Sequence, residues 1–211
     1  AGSITLESGS IIVREEPPST NVSAITHIGL TNQASLTIKG GTMEVTQLLL
    51  GEQSGAQPSR SQGTLRMTGG RLRVSAEFSI GDGASCTGLV EMAGGELFVA
   101  NNLTNIMRVG DKGFGQMTVS NATAQVGNIS VARHDSSSGL LVLQTNGVVM
   151  GTDDFNVGRF SGATGTVLVA GGQLLVINNP IWIGREGNGQ LILSNGLVQT
   201  RSLNVAIVPT N

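Results

Sequence analysis

The sequence predicts an all-β fold, a right-handed parallel β-helix (solenoid) of about eight three-strand coils of roughly 25 residues. A unit of hydrophobic-x-hydrophobic, Gly-Gly and hydrophobic-x-hydrophobic recurs in LTIKGGTMEV from Leu36, LRMTGGRLRV from Leu65 and VEMAGGELFV from Val90. A third short apolar stretch follows and ends in glycine, as in FSIG at Phe78 and IWIG at Ile181. Because no such unit can bury its apolar face alone, the repeat indicates stacked coils.

The first strand of each coil directs two alternate side chains into the core, because successive side chains of a strand point to opposite faces. The alignment puts there Ile4/Leu6, Leu36/Ile38, Leu65/Met67, Val90/Met92, Met117/Val119, Leu141/Leu143, Val167/Val169 and Leu191/Leu193. The side chain between each pair points outward: Thr5, Thr37, Arg66, Glu91, Thr118, Val142, Leu168 and Ile192. Opposite charges in neighbouring coils then set the register, in the pairs Arg66 with Glu91, Arg71 with Glu96 and Glu44 with Arg73.

A short turn rich in Gly and Asn leads to the second strand, since both residue types tolerate the positive φ of a sharp corner. The inward pairs predicted for this strand are Ile11/Val13, Met43/Val45, Leu72/Val74, Leu97/Val99, Ala124/Val126, Val148/Met150, Leu174/Val176 and Val198/Thr200. Val149 and Leu175 are predicted to point outward. They would extend an exposed aliphatic ridge formed by Val142, Leu168 and Ile192.

The third strand closes each coil with one buried aliphatic residue, in the order Ile28, Leu50, Ile80, Val109, Val131, Val157, Ile183 and Val205. Like strands are then parallel, and the crossover between them is right-handed by default. The competing interpretation is a β-sandwich with accidental periodicity. Sandwich strands do not share one turn signature at a fixed spacing, so the β-helix is favoured.

The chain of 211 residues is predicted to be one β-helix domain over 1–211, with an irregular arm or loop at about 14–24 and an apolar tail at 206–211. Only 12% of the residues are charged and the net charge is −2, which argues against nucleic acid as a partner. No apolar run has the length of a membrane span, so no membrane insertion is expected. The single Cys86 is interpreted as a small turn residue.

Residues with catalytic or metal-binding chemistry are scattered, and no enzyme, cofactor or metal is expected. Paired carboxylates, which polysaccharide-active β-helices need for acid–base chemistry, are absent from the outward positions. Asp82, Asp111 and Asp153-Asp154 are interpreted as turn residues that follow third strands, with a Ca²⁺ site there left open. His27 and His134 belong to different coils. A polysaccharide-active enzyme is therefore the weakest of the alternatives.

Stretches such as GTLRMTGGRLRVSAEFSIGDGAS and GTVLVAGGQLLVINNPIWIGREGN resemble the type V secretion/PEP-CTERM-associated repeat of bacterial surface proteins. The resemblance covers nearly the whole chain. It implies export, a rod like an autotransporter passenger and a role at the cell surface, and it implies no catalytic residues. The small first residue, Ala1, is what cleavage of a signal peptide would leave, so an exported, extracellular protein is expected.

The function predicted from these features is a structural subunit of a bacterial extracellular filament, built by head-to-tail stacking of β-helices. An uncovered solenoid end is a template for further strands, and a heterologous contact propagates as a fibre. The residues assigned to this self-association are Ile4, Leu6, Pro17, Pro18, Val142, Leu168, Ile192, Leu203, Val205, Ala206, Ile207 and Val208. The alternative is an adhesin-type rod that binds a surface or matrix ligand, and a polysaccharide partner is left open.

Overall fold

The computed structural model describes residues 1–14, 24–53, 60–100 and 106–206. Within these ranges the chain forms β-strands without any helix, and so has no helix with the length and apolar character of a membrane span. The strands are β1 (Gly2–Leu6), β2 (Ser10–Val13), β3 (Ile25–Ile28), β4 (Gln33–Ile38), β5 (Thr42–Leu50), β6 (Gln62–Ile80), β7 (Thr87–Val99), β8 (Ile106–Val109), β9 (Phe114–Val119), β10 (Thr123–Val126), β11 (Asn128–Val131), β12 (Ser138–Leu143), β13 (Val148–Gly151), β14 (Phe155–Val157), β15 (Thr164–Ala170), β16 (Gln173–Ile183), β17 (Asn188–Ser194) and β18 (Leu197–Val205).

The first strands of the coils stack in parallel and in register along one side of the molecule. They belong to β1, β4, β6, β7, β9, β12, β15 and β17, which begin coils 1 to 8. One column of inward partners runs through all of them: Ile4, Leu36, Leu65, Val90, Met117, Leu141, Val167 and Leu191. Rungs at this pairing distance are about 4.8 Å apart.

Two further parallel faces complete the coil. The second face is formed by β2, β10, β13 and parts of β5, β6, β7, β16 and β18. The third face joins Ile28, Leu50, Ile80, Val109, Val131, Val157, Ile183 and Val205 in one column. Long strands such as β6 bend around the corners and serve more than one face. The predicted β-solenoid is confirmed, with about seven turns between the first and the last rung.

The predicted side-chain register is confirmed in coils 3 and 4. Leu65, Met67 and Met92 are fully buried in the core. Arg66 and Glu91 lie side by side in solvent, with 3.4 Å between Arg66 Nε and Glu91 Oε2. A slip of one residue would have placed these charges inside, because it turns every side chain to the opposite face.

The other predicted charge pairs differ in outcome. Arg71 pairs with Glu96 at 2.6 Å, as predicted. Glu44 and Arg73 are register neighbours, but the Arg73 guanidinium lies over the Phe98 ring, 5.3 Å from its centroid. Exposed pairs of this kind contribute roughly 0.2–1 kcal/mol each, so they adjust the register more than they hold the fold together.

The inward pair predicted for the second strand of coil 6 is wrong by one residue. Val149 is fully buried, whereas Val148 and Met150 are partly exposed. The register confirms this, because Val149 pairs with the buried Ala124 of the preceding coil. The turn before this strand carries one residue more than the equivalent turn of the other coils, and one extra residue reverses the inward–outward alternation. Val149 is therefore a core residue and contributes nothing to an exposed ridge.

A column of glycines lies near the start of the first strands, two residues before the first inward side chain. The column reads Gly2, Ala34, Gly63, Gly88, Gly115, Gly139, Gly165 and Gly189. A Cβ on Gly63 would lie 2.0 Å from the Ile28 carbonyl oxygen, and one on Gly189 would lie 2.2 Å from the Gly184 nitrogen. Backbone from preceding coils therefore excludes a side chain at the inner glycines. A Cβ on Gly2 would meet nothing within 4 Å.

Candidate functional site

The first coil leaves part of its apolar cross-section uncovered. Ile4, an inward residue, is 48% exposed, whereas its register partner Leu36 is fully buried. Leu6 is buried, since Ile38 of the next coil lies beside it. Ile25 at the start of the third strand is also exposed. In coil 1, aliphatic side chains are therefore exposed, and among the described residues β1 pairs with β4 alone.

In the last coil, more of the described inward side chains are exposed than in the first. Leu203 is 52% exposed and Val205 is 60% exposed, although both continue columns that are buried in coil 7. Leu193 is exposed in the same way, while its partner Val169 is fully buried. Ala206 follows with a positive φ of 51° and is exposed. The predicted residues Ile207 and Val208, like Pro17 and Pro18, lie outside the described residues.

The predicted aliphatic ridge is only partly exposed. Val142, Leu168 and Ile192 occupy one register column in consecutive coils, as predicted. Ile192 is 39% exposed and Leu168 is half-buried, but Val142 is only 9% exposed. Val142 is therefore wrong as an exposed contact residue. The accessible part of the ridge is confined to coils 7 and 8, next to the uncovered last coil.

The outward side of the third face holds a network of ion pairs that the sequence did not predict. Asp111, with a side chain only 2% exposed, lies 3.3 Å from Arg133 Nη1 and 3.5 Å from Arg108 Nε. Arg108 also pairs with Glu77 of coil 3. Burial raises the pKa of Glu77 above its usual value, and the Arg108 charge opposes that shift. His134 Nε2 approaches the same Asp111 carboxylate at 3.7 Å.

A charge reversal runs along this face, at the residue that follows the positive-φ corner after each third strand. Glu52, Asp82 and Asp111 occupy that position in coils 2 to 4, and arginines occupy it in the next coils. The arginines are Arg133, Arg159 and Arg185. Glu52 pairs with His27, and Asp82 accepts a hydrogen bond of 2.8 Å from Ser79 Oγ. The acidic half of the row is therefore partnered within the chain.

The functional groups on the outward side of the third face are mainly charged side chains held in ion pairs or hydrogen bonds. Ser137 Oγ donates to the His134 carbonyl oxygen at 2.6 Å, so it is not aligned with the imidazole as a nucleophile would be. Within the described part of the chain, no group of three or more His, Cys, Asp or Glu side chains could hold a metal ion.

Asp153 and Asp154 lie outside the strands, but their predicted position after a third strand is wrong. Both precede the third strand of coil 6, β14, instead of following it. Asp82 and Asp111 do follow third strands, but both side chains are buried and partnered. The sequence does carry a signal for this row. Two residues after the aliphatic residue that closes the third strand, coils 2 to 4 have Glu52, Asp82 and Asp111, and coils 5 to 7 have arginine.

A β-solenoid fold alone does not identify a function, because solenoids of unrelated function share the same stacking chemistry. The structure adds two places with unsatisfied surface, the uncovered end coils and the basic half of the third face. Comparison with known proteins finds no matching family model, no matching curated protein and no matching solved structure.

Proposed function

We propose that this chain is a structural subunit of an extracellular bacterial filament, in which copies stack head to tail through their end coils. The observation that carries the proposal is the uncovered apolar cross-section at both ends of an otherwise buried column, as seen at Ile4 and Val205. Covering such surface is favourable by roughly 25 cal/mol per Å². The free strand edges at the same ends supply hydrogen-bond partners for a stacked coil.

The two ends match each other in residue type. Stacking coil 8 of one copy below coil 1 of the next would place Leu191 and Leu193 beside Ile4 and Leu6. Val205 would lie beside Ile28 on the third face by the same register. Each of these contacts would repeat an aliphatic pair already present between the coils inside the chain. A second copy therefore fits the exposed ends without a change in side-chain chemistry.

Gly2 supports a coil that packs before coil 1. In the inner coils the glycine of this column avoids a clash with backbone from preceding coils, as Gly189 does with Gly184. Position 2 is also glycine, although a Cβ built on Gly2 would meet nothing within 4 Å in this structure. In a stacked fibre the backbone around Ala206 of another copy would occupy that place. Ala34 is the exception in the column, so the rule is strong without being absolute.

The proposal includes export and a cell-surface location, because the repeats resemble the type V secretion/PEP-CTERM-associated repeat. An adhesin-type rod is the second candidate function. It is favoured by a separate observation, the arginine row of the third face, of which only Arg133 pairs with a carboxylate among the described residues. Such a row could bind an anionic ligand along the side of the rod without any end-to-end assembly.

The filament proposal is tested by light scattering and negative-stain microscopy of the purified chain. We expect concentration-dependent fibres with an axial repeat of about 38 Å, since each copy would add eight rungs of about 4.8 Å. Val205→Lys and Gly2→Val should each leave a folded monomer that does not polymerise. The first places a charge at the stacking edge, and the second adds bulk where a preceding coil would pack.

Matched controls separate end stacking from general surface effects. Ile177→Lys changes an aliphatic residue that is 53% exposed but lies outside the end coils, and Thr5→Val changes an outward position of coil 1. Both should assemble like the unmodified chain. A chain that stays monomeric at high concentration contradicts the proposal, as would fibres that survive both Val205→Lys and Gly2→Val.

A further inference from the structure

Three arginines form a row along the third face at the level of coils 5, 6 and 7. Arg133, Arg159 and Arg185 each follow a corner residue with positive φ, after third strands that pair in register. The repeat of the coils therefore sets them about 4.8 Å apart along the axis of the solenoid. Such a row presents positive charge at regular intervals along a straight line.

The positive charge of the row is only partly balanced within the described residues. Arg133 shares the Asp111 carboxylate with Arg108. The Asp154 charge favours the charged form of Arg159, but no ion pair of 4.0 Å or less joins Arg159 or Arg185 to a carboxylate of the described ranges. The Nε atoms of the three arginines of the row, and that of Arg108, are buried without a hydrogen-bond partner among the described residues. Burial lowers the pKa of Arg159, and the charges of Arg133 and Arg185 lower it further. The chain thus holds like charges close together and partly desolvated, an arrangement that an anion would stabilise.

Aromatic rings flank the same row. The Arg159 guanidinium lies 5.0 Å from the centroid of Phe160, and that of Arg185 lies 5.5 Å from the centroid of Trp182. At these distances each guanidinium is attracted to the face of its ring. Arg185 Nη1 also donates to Oδ1 of the buried Asn156, at 3.5 Å. Guanidinium groups and aromatic rings therefore share one strip of the third face.

We propose that this strip binds a linear acidic polysaccharide, with successive sugar carboxylates paired to Arg159, Arg185 and the remaining donors of Arg133. The guanidinium fork matches a carboxylate in a bidentate manner, and the aromatic faces suit the apolar face of a sugar ring. A nucleic acid fits less well, because the chain carries a net charge of −2 and lacks the wide basic field that phosphate backbones require. This inference does not depend on filament formation.

The test is titration calorimetry of the chain with a linear oligouronate at low salt. We expect saturable binding that weakens as salt is added. Arg159→Gln should lower the affinity roughly tenfold or more, the scale of one charge-assisted hydrogen bond. The matched control is Arg66→Gln, since Arg66 is an exposed arginine on the first face that pairs with Glu91. Its affinity for the oligouronate should stay that of the unmodified chain.

Thermal unfolding of Arg159→Gln distinguishes a lost binding site from a damaged fold. Because the substitution removes a charge that burial and the neighbouring arginines disfavour, the variant should unfold at the same or a higher temperature than the unmodified chain. The methyl-esterified oligouronate should bind at least tenfold more weakly than the free acid, since it lacks the carboxylate charge.

Three results would overturn the inference. They are the absence of measurable binding to the oligouronate, equal losses of affinity in Arg159→Gln and Arg66→Gln, and tighter binding of a single-stranded oligodeoxynucleotide than of the oligouronate. The last result would assign the strip to nucleic acid.

Discussion

Single glycines decide whether a coil can pack against its neighbours. At Gly63 a Cβ would lie 2.0 Å from a backbone oxygen that cannot move independently of its strand. We therefore expect Gly63→Ala to lower the free energy of unfolding by about 1–3 kcal/mol or more, the usual scale of overpacking. Gly2→Ala, in the same column, should be nearly neutral for the isolated chain. Urea denaturation of both variants checks this, and equal losses would show that the column has another role.

The charge state of His134 should make stability depend on pH. Burial lowers the pKa of His134 below its ordinary 6.5, although the Asp111 carboxylate opposes the shift. The folded chain therefore favours the neutral imidazole. Its contribution to stability is complete above pH 6.5 and is lost as the pH falls below 6.5, because the unfolded chain then binds a proton more readily.

The pH effect is measured as the difference between the unmodified chain and His134→Gln, so that the other titrating groups cancel. Between pH 7.5 and pH 5.5 the unmodified chain should lose more of its unfolding free energy than the variant. A parallel pair of curves would mean that His134 does not titrate differently in the folded state. A steeper loss in the variant would reverse the sign of the inferred shift.

At the level of the strand and its corner, coils 5 and 8 carry alanine where the other six coils carry glycine, and the alanine of coil 5 is the buried one. The residue after the third strand has a positive φ in every coil, and it is glycine in coils 1 to 4, 6 and 7. Coil 5 has Ala132 there, with a φ of 58° and full burial. An alanine held in the left-handed region is strained relative to glycine.

Ala132→Gly should therefore raise the free energy of unfolding by about 0.5–1 kcal/mol, provided that relief of the backbone strain exceeds the loss of one buried methyl group. The control is Ala163→Gly, which removes an equally buried methyl group at a turn residue without positive φ. That variant should be destabilised. Thermal and urea unfolding of the two variants give the comparison, and a loss of stability in both would show that the methyl contact dominates.

The same elements show how far the sequence predicts the structure. Alternation, the Gly- or Asn-containing turns and the apolar stretches that end in glycine identify the three faces, because most coils repeat the same spacing from the first strand to the second. The prediction fails at Val149, where a longer turn reverses the parity and two apolar neighbours, Val148 and Val149, give no local signal. The burial of Val142 and Asp111 could not be predicted either, since it depends on how turns of neighbouring coils lie against the sheets.

On the scale of the whole molecule, both proposals depend on one geometric property, the unbroken parallel register of eight rungs. It leaves equivalent columns uncovered at the two ends, which favours stacking of copies. It also converts a residue type repeated in coils 5 to 7 into a straight line of charge, which favours a linear ligand. The first proposal depends on Gly2 and Val205 and the second on Arg159, so each can fail without the other.

The extra turn residue of coil 6 has a consequence for how such a chain can change during evolution. A whole coil can be duplicated or lost without disturbing the rest, because every later side chain keeps its face. A single inserted residue within a strand would turn the remainder of that strand inside out. The turn that ends at Gly147 tolerates its extra residue, because the next strand has apolar residues in both parities, Val148 and Val149. With two adjacent valines, either one can face the core, so a change of one residue in the preceding turn is tolerated. Insertions and deletions should therefore accumulate in the turns before such pairs among descendants of this chain.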